Sequence, residues 1–320
     1  MKIDVKECAK LLKEKDNILI LTHAHPDGDT LGCGFGLGRA LLKMGKKVRV
    51  INSDEIPKKY DYLHNDLEFE DFKEDYVVAV DTATENLLGD LADVYGGKIN
   101  LCIDHHGTNT NYAEKTLLIE TAAACEIVYE VICELGVQID EKIASCLYTG
   151  ITTDTGCFRY ASSTPSTYRI AADLIEKGAN NGLINRIMFE TKTKTYVRLE
   201  RLVMDGLKLF CDDQVAVIVV TQDMFKKSGS NEQETEALAP LTRQIEGVEV
   251  GVTIREKVDG TCKASLRTFD KVNAAEVAKF FGGGGHPQAA ACRFDCGVDE
   301  ALERIVEKCG ELLKWQELFA

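Results

Sequence analysis

The chain has 320 residues, 45% of them hydrophobic and 28% charged, with a formal net charge of −14. That length predicts two domains rather than one core, and the composition excludes a disordered chain. The acidic balance argues against a protein that coats long nucleic acid, because each phosphate contact needs a local cation; a small anionic substrate stays open if metal ions and a few Arg residues reverse the sign locally.

In chain order, Met1–Lys10 reads as an amphipathic helix rather than a leader. Short apolar runs then alternate with longer helical periodicities up to about residue 190. The expected strands are Ile18–Leu21, Lys47–Ile51, Val77–Val80 and Ile99–Ile103; the expected helices are Leu31–Met44, Ala122–Leu135, Glu141–Ile151 and Thr167–Lys177. This alternation predicts an α/β fold with a doubly wound, mostly parallel sheet covered by helices on both faces. In such sheets ligands collect beyond the carboxyl ends of the strands.

Asn185–Phe210 carries no strand signal and reads as a connecting helix. A second, smaller α/β pattern follows: a strand at Gln214–Thr221, a helix at Glu232–Ala239, and a hairpin of Val248–Lys257 and Cys262–Phe269 turning at Asp259-Gly260. Then come a helix at Asn273–Phe281, the run Gly282–His286, a strand at Ala290–Phe294 and a last helix from about Asp299. The expected bounds are 1–187 for the first domain, 188–210 for a linker helix and 211–320 for the second domain. The twelve cysteines include no Cys-x-x-Cys pair, and Cys102, Cys125, Cys133 and Cys146 lie inside apolar segments, so they read as reduced thiols in a cytoplasm. The longest apolar runs, such as Val215–Val220, are too short to cross a bilayer.

Acidic and imidazole groups gather where core elements end. Asp104-His105-His106 closes the run Ile99–Ile103, and His23, Asp27 and Asp29 follow the strand Ile18–Leu21. Asp81 follows Val77–Val80, and Asp154 sits in Thr153-Asp154-Thr155-Gly156 after a helical pattern. An Asp at such a place also serves as a helix cap, but that role does not account for both acids of the first cluster plus His23. His25 reads as a loop side chain. One imidazole of the His105-His106 pair is suited to ligate a metal and the other to meet a phosphate oxygen, with Asp104 orienting one ring. Carboxylate and imidazole donors without thiolate favour Mn²⁺ or Mg²⁺, with Co²⁺ compatible. Two such ions activate a water and clamp an in-line displacement at phosphorus, which predicts phosphoester or phosphoanhydride hydrolysis. In the second domain, Arg267 and Gly282, Gly283, Gly284, Gly285 and His286 form a candidate anion nest. Arg159 is a further candidate for phosphate.

These residues carry a resemblance. His23, Asp27 and Asp29, then Asp81, then Asp104-His105-His106, then Asp154 resemble the four ordered motifs of the DHH phosphoesterases, and Gly282–His286 with Ala289-Ala290 resembles the DHHA1 domain that often follows. The resemblance spans nearly the whole chain and is strongest to the nanoRNase/pAp phosphatase group and to stand-alone linear-dinucleotide phosphodiesterases. It implies one metal held by His23, Asp27 and Asp81 and a second by Asp29, Asp81, His105 and Asp154, with Asp81 bridging. It implies that His106 meets the scissile phosphate, that the DHHA1 part holds the rest of a short oligonucleotide, dinucleotide or pAp, and that the protein is a homodimer. His25 stands where Asn is usual, and Ala291 where Gly is common. A pyrophosphatase built on the same first-domain motifs and a non-catalytic nucleotide sensor are the rivals; the glycine run speaks against the first, the full acidic set against the second.

Overall fold

The computed structural model describes residues 1–319; for Glu236, His286 and residues 315–319 it describes the backbone alone. The chain divides into two compact units, Met1–Thr191 and Lys192–Ala320.

In unit 1 the elements run α1 (Val5–Glu14), β1 (Ile18–Leu21), α2 (Gly28–Lys43), β2 (Val48–Ile51), β3 (Tyr76–Val80), α3 (Leu91–Tyr95), β4 (Leu101–Asp104), β5 (Lys115–Leu118), α4 (Ala124–Leu135), α5 (Glu141–Asp154), α6 (Pro165–Glu176) and α7 (Asn181–Asn185). The strands lie in the order β2-β1-β3-β4-β5, and every pair is parallel. Burial on both faces explains the unbroken apolar character of β1 and β3. Ile18, Ile20, Val78, Val80, Leu101 and Ile103 pack with the apolar residues of α2, α4 and α5. Leu19, Leu21, Val77, Ala79 and Cys102 form a second cluster with Leu88 and Ile99. The chain leaves β1 toward β2 on one side and returns to β3 on the other. The carboxyl ends of β1 and β3 therefore flank a topological switch point.

Helices α2 and α5 pack almost backbone to backbone. A Cβ on Gly32 would stand 2.5 Å from the Cys146 carbonyl oxygen, and one on Gly150 would stand 2.3 Å from Cys125 Sγ and 2.5 Å from Asp29 Oδ1. This close approach brings Asp29, in the first turn of α2, next to the last turn of α5, which ends in Asp154.

Unit 2 holds α8 (Lys194–Asp205), β6 (Lys208–Phe210), β7 (Val215–Val220), α9 (Gln222–Ser228), α10 (Ala239–Arg243), β8 (Val250–Glu256), β9 (Cys262–Thr268), α11 (Ala274–Phe280), β10 (Gly284–His286), β11 (Ala289–Phe294) and α12 (Val298–Phe319). Its sheet has the order β10-β11-β9-β8-β7-β6, with β7 and β8 parallel and the other pairs antiparallel. One face buries Val250, Val252, Ile254, Ala264, Leu266, Cys292 and Phe294 with residues of α11 and α12. On the opposite face Ile218 and Val220 pack with Tyr196, Leu199 and Val203 of α8. No helix among the described residues is long and apolar enough to cross a membrane.

Several elements depart from the sequence reading. The expected helix over 185–210 is three pieces. A helical turn ends at Glu190, α8 starts afresh because the Thr193 side chain caps it by accepting from Tyr196 N–H, and after Gly206 the chain becomes β6. Residues 232–238 form a 3₁₀ turn rather than an α-helix, and α10 follows with Pro240 in its first turn, where a missing N–H costs nothing. The strand β5, Lys115-Thr-Leu-Leu118, was too short and too polar to register. The glycine run is not all loop, since Gly284–His286 pairs with Ala289–Ala291 as β10.

Candidate metal centre and its surroundings

The residues that follow β1, β3 and β4, and the end of α5, converge on one point. Asp27 caps α2, accepting at Oδ1 from the N–H groups of Asp29 and Thr30. His23 Nε2 lies 3.6 Å from Asp27 Oδ1 and 3.5 Å from Asp81 Oδ2. His105 Nε2 lies 3.5 Å from Asp81 Oδ1 and 3.6 Å from Asp154 Oδ2. Asp81 thus stands between two histidines, with one carboxylate oxygen toward each. Its φ of +52° puts a non-glycine residue in the left-handed region, a local strain that costs energy and is found where a side chain must be aimed.

The ring orientations are fixed from behind. Ala24 O accepts from His23 Nδ1 at 2.8 Å, and Thr121 O accepts from His105 Nδ1 at 3.0 Å, so each ring turns its Nε2 toward the carboxylates. Asp29 is fully buried and accepts at its two oxygens from Ala124 N–H (2.6 Å) and Cys125 N–H (2.9 Å), the first residues of α4. Two triplets of donor atoms lie within 4.8 Å of one another, His23–Asp27–Asp81 and Asp29–His105–Asp154; Asp81 forms a third with His105 and His106.

Electrostatics make the cluster unstable as it stands. Burial and the neighbouring Asp29 charge push Asp81 up to about 7. Burial and the Asp29, Asp27 and Asp81 charges push Asp154 well above the carboxylate range. Burial also raises Asp29. Burial opposes charge on His23, yet the Asp27 and Asp81 carboxylates outweigh it and lift the ring to about 11. Asp81 Oδ1 and His105 Nε2 are both buried without a hydrogen-bond partner. Two orphaned acceptors, like charges packed together and hard oxygen and imidazole donors are what a divalent cation would satisfy.

His106 has different company. Its Nδ1 lies 2.8 Å from Asp104 Oδ1, while Asn109 Nδ2 donates to Asp104 Oδ2 at 2.6 Å. The bond to Asp104 raises His106, and although burial opposes it, the His106 and Asn109 bonds hold Asp104 below its ordinary value. The bond to Asp104 favours the charged form of the His106 ring. Asn109 carried no sequence signal, nor did the Thr121 carbonyl or Gly150. The only trace was glycine at i, i+4 spacing (Gly28, Gly32, Gly36), which marks a close helix contact once both helices are known.

Three other residues of the sequence reading have surroundings of their own. His25 turns out to solvent, its ring 3.1 Å from Asp54 and its side chain 92% exposed. Arg159 donates from Nε to Gly156 O and lies over the Phe189 ring; among the described residues it makes no ion pair with the cluster. Arg267 lies on β9 in unit 2, its Nη1 donating to the Leu266 carbonyl at 2.9 Å. It lines a depression of about 470 Å³ together with Gly284 and Gly285. The glycines let β10 lie against β11: Gly285 has φ +146°, and a Cβ there would stand 2.5 Å from Ala289 O. The side chain of His286 lies outside what the structure describes.

Comparison with known proteins places both units. Residues 17–151 match the N-terminal domain of the DHH family, and residues 212–314 match the DHHA1 domain. The chain is 33% identical over 314 residues to the bifunctional oligoribonuclease and PAP phosphatase NrnA of Thermus thermophilus, covering 95% of this chain and 93% of that protein. A crystal structure of an exopolyphosphatase-related protein from Bacteroides fragilis superposes with a TM-score of 0.88 at 27% identity, covering 97% of both chains. RecJ from Thermus thermophilus in complex with Mn²⁺ shares the fold at 14% identity, with a TM-score of 0.58 over 99% of this chain and 55% of that one. With acidic strand ends meeting at a switch point and a glycine-edged sheet behind them in sequence, the chain belongs to the DHH phosphoesterase family, in the form that carries a DHHA1 domain.

Proposed function

We propose that this protein hydrolyses phosphoester bonds in short nucleotides, cutting nanoRNA or linear dinucleotides to mononucleotides and converting pAp to AMP, with two Mn²⁺ ions as cofactor. The observation that carries the reading is Asp81, whose two oxygens face His23 and His105 at 3.5 Å each, at the junction of two donor triplets. His23, Asp27 and Asp81 would hold one ion, and Asp29, Asp81, His105 and Asp154 the other. Divalent cations there supply an activated water and neutralise charge in an in-line displacement at phosphorus.

The chain's own residues do the rest. Ala24 and Thr121 carbonyls hold two imidazoles with Nε2 forward, and the N-terminus of α4 holds Asp29. His106, whose charged form the bond to Asp104 favours, donates to a non-bridging oxygen of the scissile phosphate and stabilises the charge that builds there. Unit 2 supplies cations for the rest of the nucleotide through Arg267. The names of the NrnA relative support both activities, and the Mn²⁺ in RecJ supports the metal. The unpaired state of all twelve cysteines supports a cytoplasmic setting, and family resemblance supports a homodimer.

Turnover of a dinucleotide, pAp and pyrophosphate, each measured with Mn²⁺, Mg²⁺ and Co²⁺, tests the reading. Dinucleotide and pAp hydrolysis fastest with Mn²⁺ is expected. Faster turnover of pyrophosphate would replace it with a pyrophosphatase, and binding without turnover would leave a sensor.

A further inference from the structure

The chain leaves β4 at Asp104 and turns back on itself within a few residues. Asn109 N–H donates to the His106 carbonyl at 3.0 Å, and Thr110 N–H donates to the Ala83 carbonyl at 3.0 Å. The turn is thereby pinned to the segment that follows Asp81, and it brings the Asn109 side chain back to Asp104. Both residues are removed from solvent, Asp104 fully and Asn109 at 8% exposure. Asn109 therefore acts on its neighbours rather than on anything in the open.

A side-chain amide can face either way, and here a backbone group decides. Asn111 N–H donates to Asn109 Oδ1 at 2.7 Å, and a backbone N–H can only donate. Nδ2 is then the atom that faces Asp104, and it donates to Oδ2 at 2.6 Å. Its longer contacts are the Thr82 carbonyl at 3.4 Å and Cys102 Sγ at 3.6 Å. Asp104, as a carboxylate, only accepts, so its Oδ1 takes the Nδ1–H of His106 at 2.8 Å. The direction of every bond is thus set from the backbone outward: Asn111 N–H, Asn109 amide, Asp104 carboxylate, His106 ring. Asp29, Asp81 and Asp154 each join a triplet of donors able to hold a cation; among the described residues Asp104 joins none. Its two oxygens are engaged by His106 and Asn109, so this acid orients a ring instead of binding an ion.

We propose that Asn109 is a positioning residue for phosphoester hydrolysis: by fixing the Asp104 carboxylate it sets the angle at which the His106 ring meets the scissile phosphate, touching neither substrate nor metal. The proposal rests on the role of His106 read above and names the group that this role depends on. Removing the amide leaves a buried carboxylate oxygen without its donor. The carboxylate then turns to recover one, and the His106 ring turns with it. A donor aimed at developing charge works only from the right place, and a shift of about an ångström costs on the order of a hundredfold in rate.

The test is a double-mutant cycle on dinucleotide hydrolysis with Mn²⁺, using Asn109→Leu, which keeps the bulk and loses the donor, and Asn109→Ala, each in the wild-type chain and in His106→Ala. In the wild-type background both substitutions lower kcat and kcat/KM together by about ten- to a hundredfold, with metal content unchanged. In the His106→Ala background they cost less than about twofold, because the group they act through is gone. The second readout needs no turnover. In the Mg²⁺-loaded protein with ¹⁵N-labelled histidine, the Nδ1 proton resonance that His106→Ala abolishes is protected from exchange in the wild-type chain and loses that protection in Asn109→Leu. A full-sized loss that persists without His106, loss of metal, unchanged kcat, or an undisturbed Nδ1 proton each overturns the assignment. If the proton follows Asn109 while the wild-type chain turns over neither dinucleotide nor pAp, the proposed function fails and the positioning of the ring by Asn109 stands.

Discussion

The charged side chains of unit 1 come from distant points of the sequence, are largely buried, and repel one another: Asp29, Asp81 and Asp154 all hold protons beyond their ordinary range. Those of unit 2 come from three neighbouring strands, stay partly exposed, and are balanced in part by Glu232. The first arrangement has an unmet demand for cations, and burial makes that demand large. The second pairs cations with a carboxylate near the surface, where solvent screens the charges. Unit 1 should therefore decide whether chemistry occurs at all, and unit 2 which substrates profit from it.

The sharpest way to break this division is Asp81→Ala. It removes the donor shared by two triplets, so turnover of every substrate should fall on the order of a thousandfold or more. Metal content, measured on the dialysed protein, should fall as well. Near-normal turnover with a full metal complement would reduce Asp81 to a strained strand end and dissolve the two-ion site.

A finer cut separates the adjacent histidines. His105 turns Nε2 toward Asp81 and Asp154, whereas His106 is tied through Nδ1 to Asp104. His105→Ala should lose metal from one site. His106→Ala should keep both metals and lower kcat and kcat/KM together by about 100- to 10,000-fold. Equal metal loss in the two variants would show that both rings serve the metals.

The positions of these residues were legible because parallel strands present their carboxyl ends on one edge, so acids that end separate apolar runs meet there. What was not legible is what holds them. Asp29 is fixed by the backbone N–H groups of Ala124 and Cys125, ninety-five residues away at the nearer one, and backbone donors leave no mark on a sequence. Gly150 reads as a poor helix residue until α2 is seen against it. In unit 2 the period-two pattern of β9 was visible, but only the cross-strand register aligns Arg255 and Arg293 with Lys263. Thr193 and Gly206 broke the expected helix over 185–210, capping signals that its Lys- and Arg-rich periodicity obscured.

Protons sharpen the comparison further, since in unit 1 they stand in for metal. Asp81, at about 7 in the folded chain, keeps a proton that the unfolded chain releases near its ordinary value; Asp154 and Asp29 are shifted the same way. His23, raised to about 11, also binds its proton more tightly when folded. The folded state thus holds more protons between about pH 4 and 11, and stability falls as pH rises across that window. Metal-free protein should melt at a lower temperature at pH 8 than at pH 6. Mn²⁺ bound as proposed should displace those protons, so its affinity and the Tm increase it confers should both be larger at pH 8. Calorimetry in buffers of different ionisation heat should detect the released protons. A Tm increase independent of pH, or no proton release, would mean that the ion does not sit among these carboxylates.

The smallest expected effect tests unit 2. Arg267 lines an open depression, so Arg267→Ala removes a charged contact remote from the bond that breaks, about 1.5–3 kcal/mol of binding to a phosphate or roughly ten- to a hundredfold. Such energy raises KM when it acts equally on substrate and transition state, and lowers kcat when it also orients the phosphate. A small generic ester, bis-p-nitrophenyl phosphate, has no nucleotide for Arg267 to hold. Its hydrolysis should be nearly unchanged in Arg267→Ala while pAp and dinucleotide hydrolysis fall. If the generic ester suffers equally, Arg267 supports the fold and unit 2 has no separate say in the substrate. If neither suffers, the open face of β9 holds no part of the substrate at this level, and selectivity belongs to unit 1 together with its chemistry.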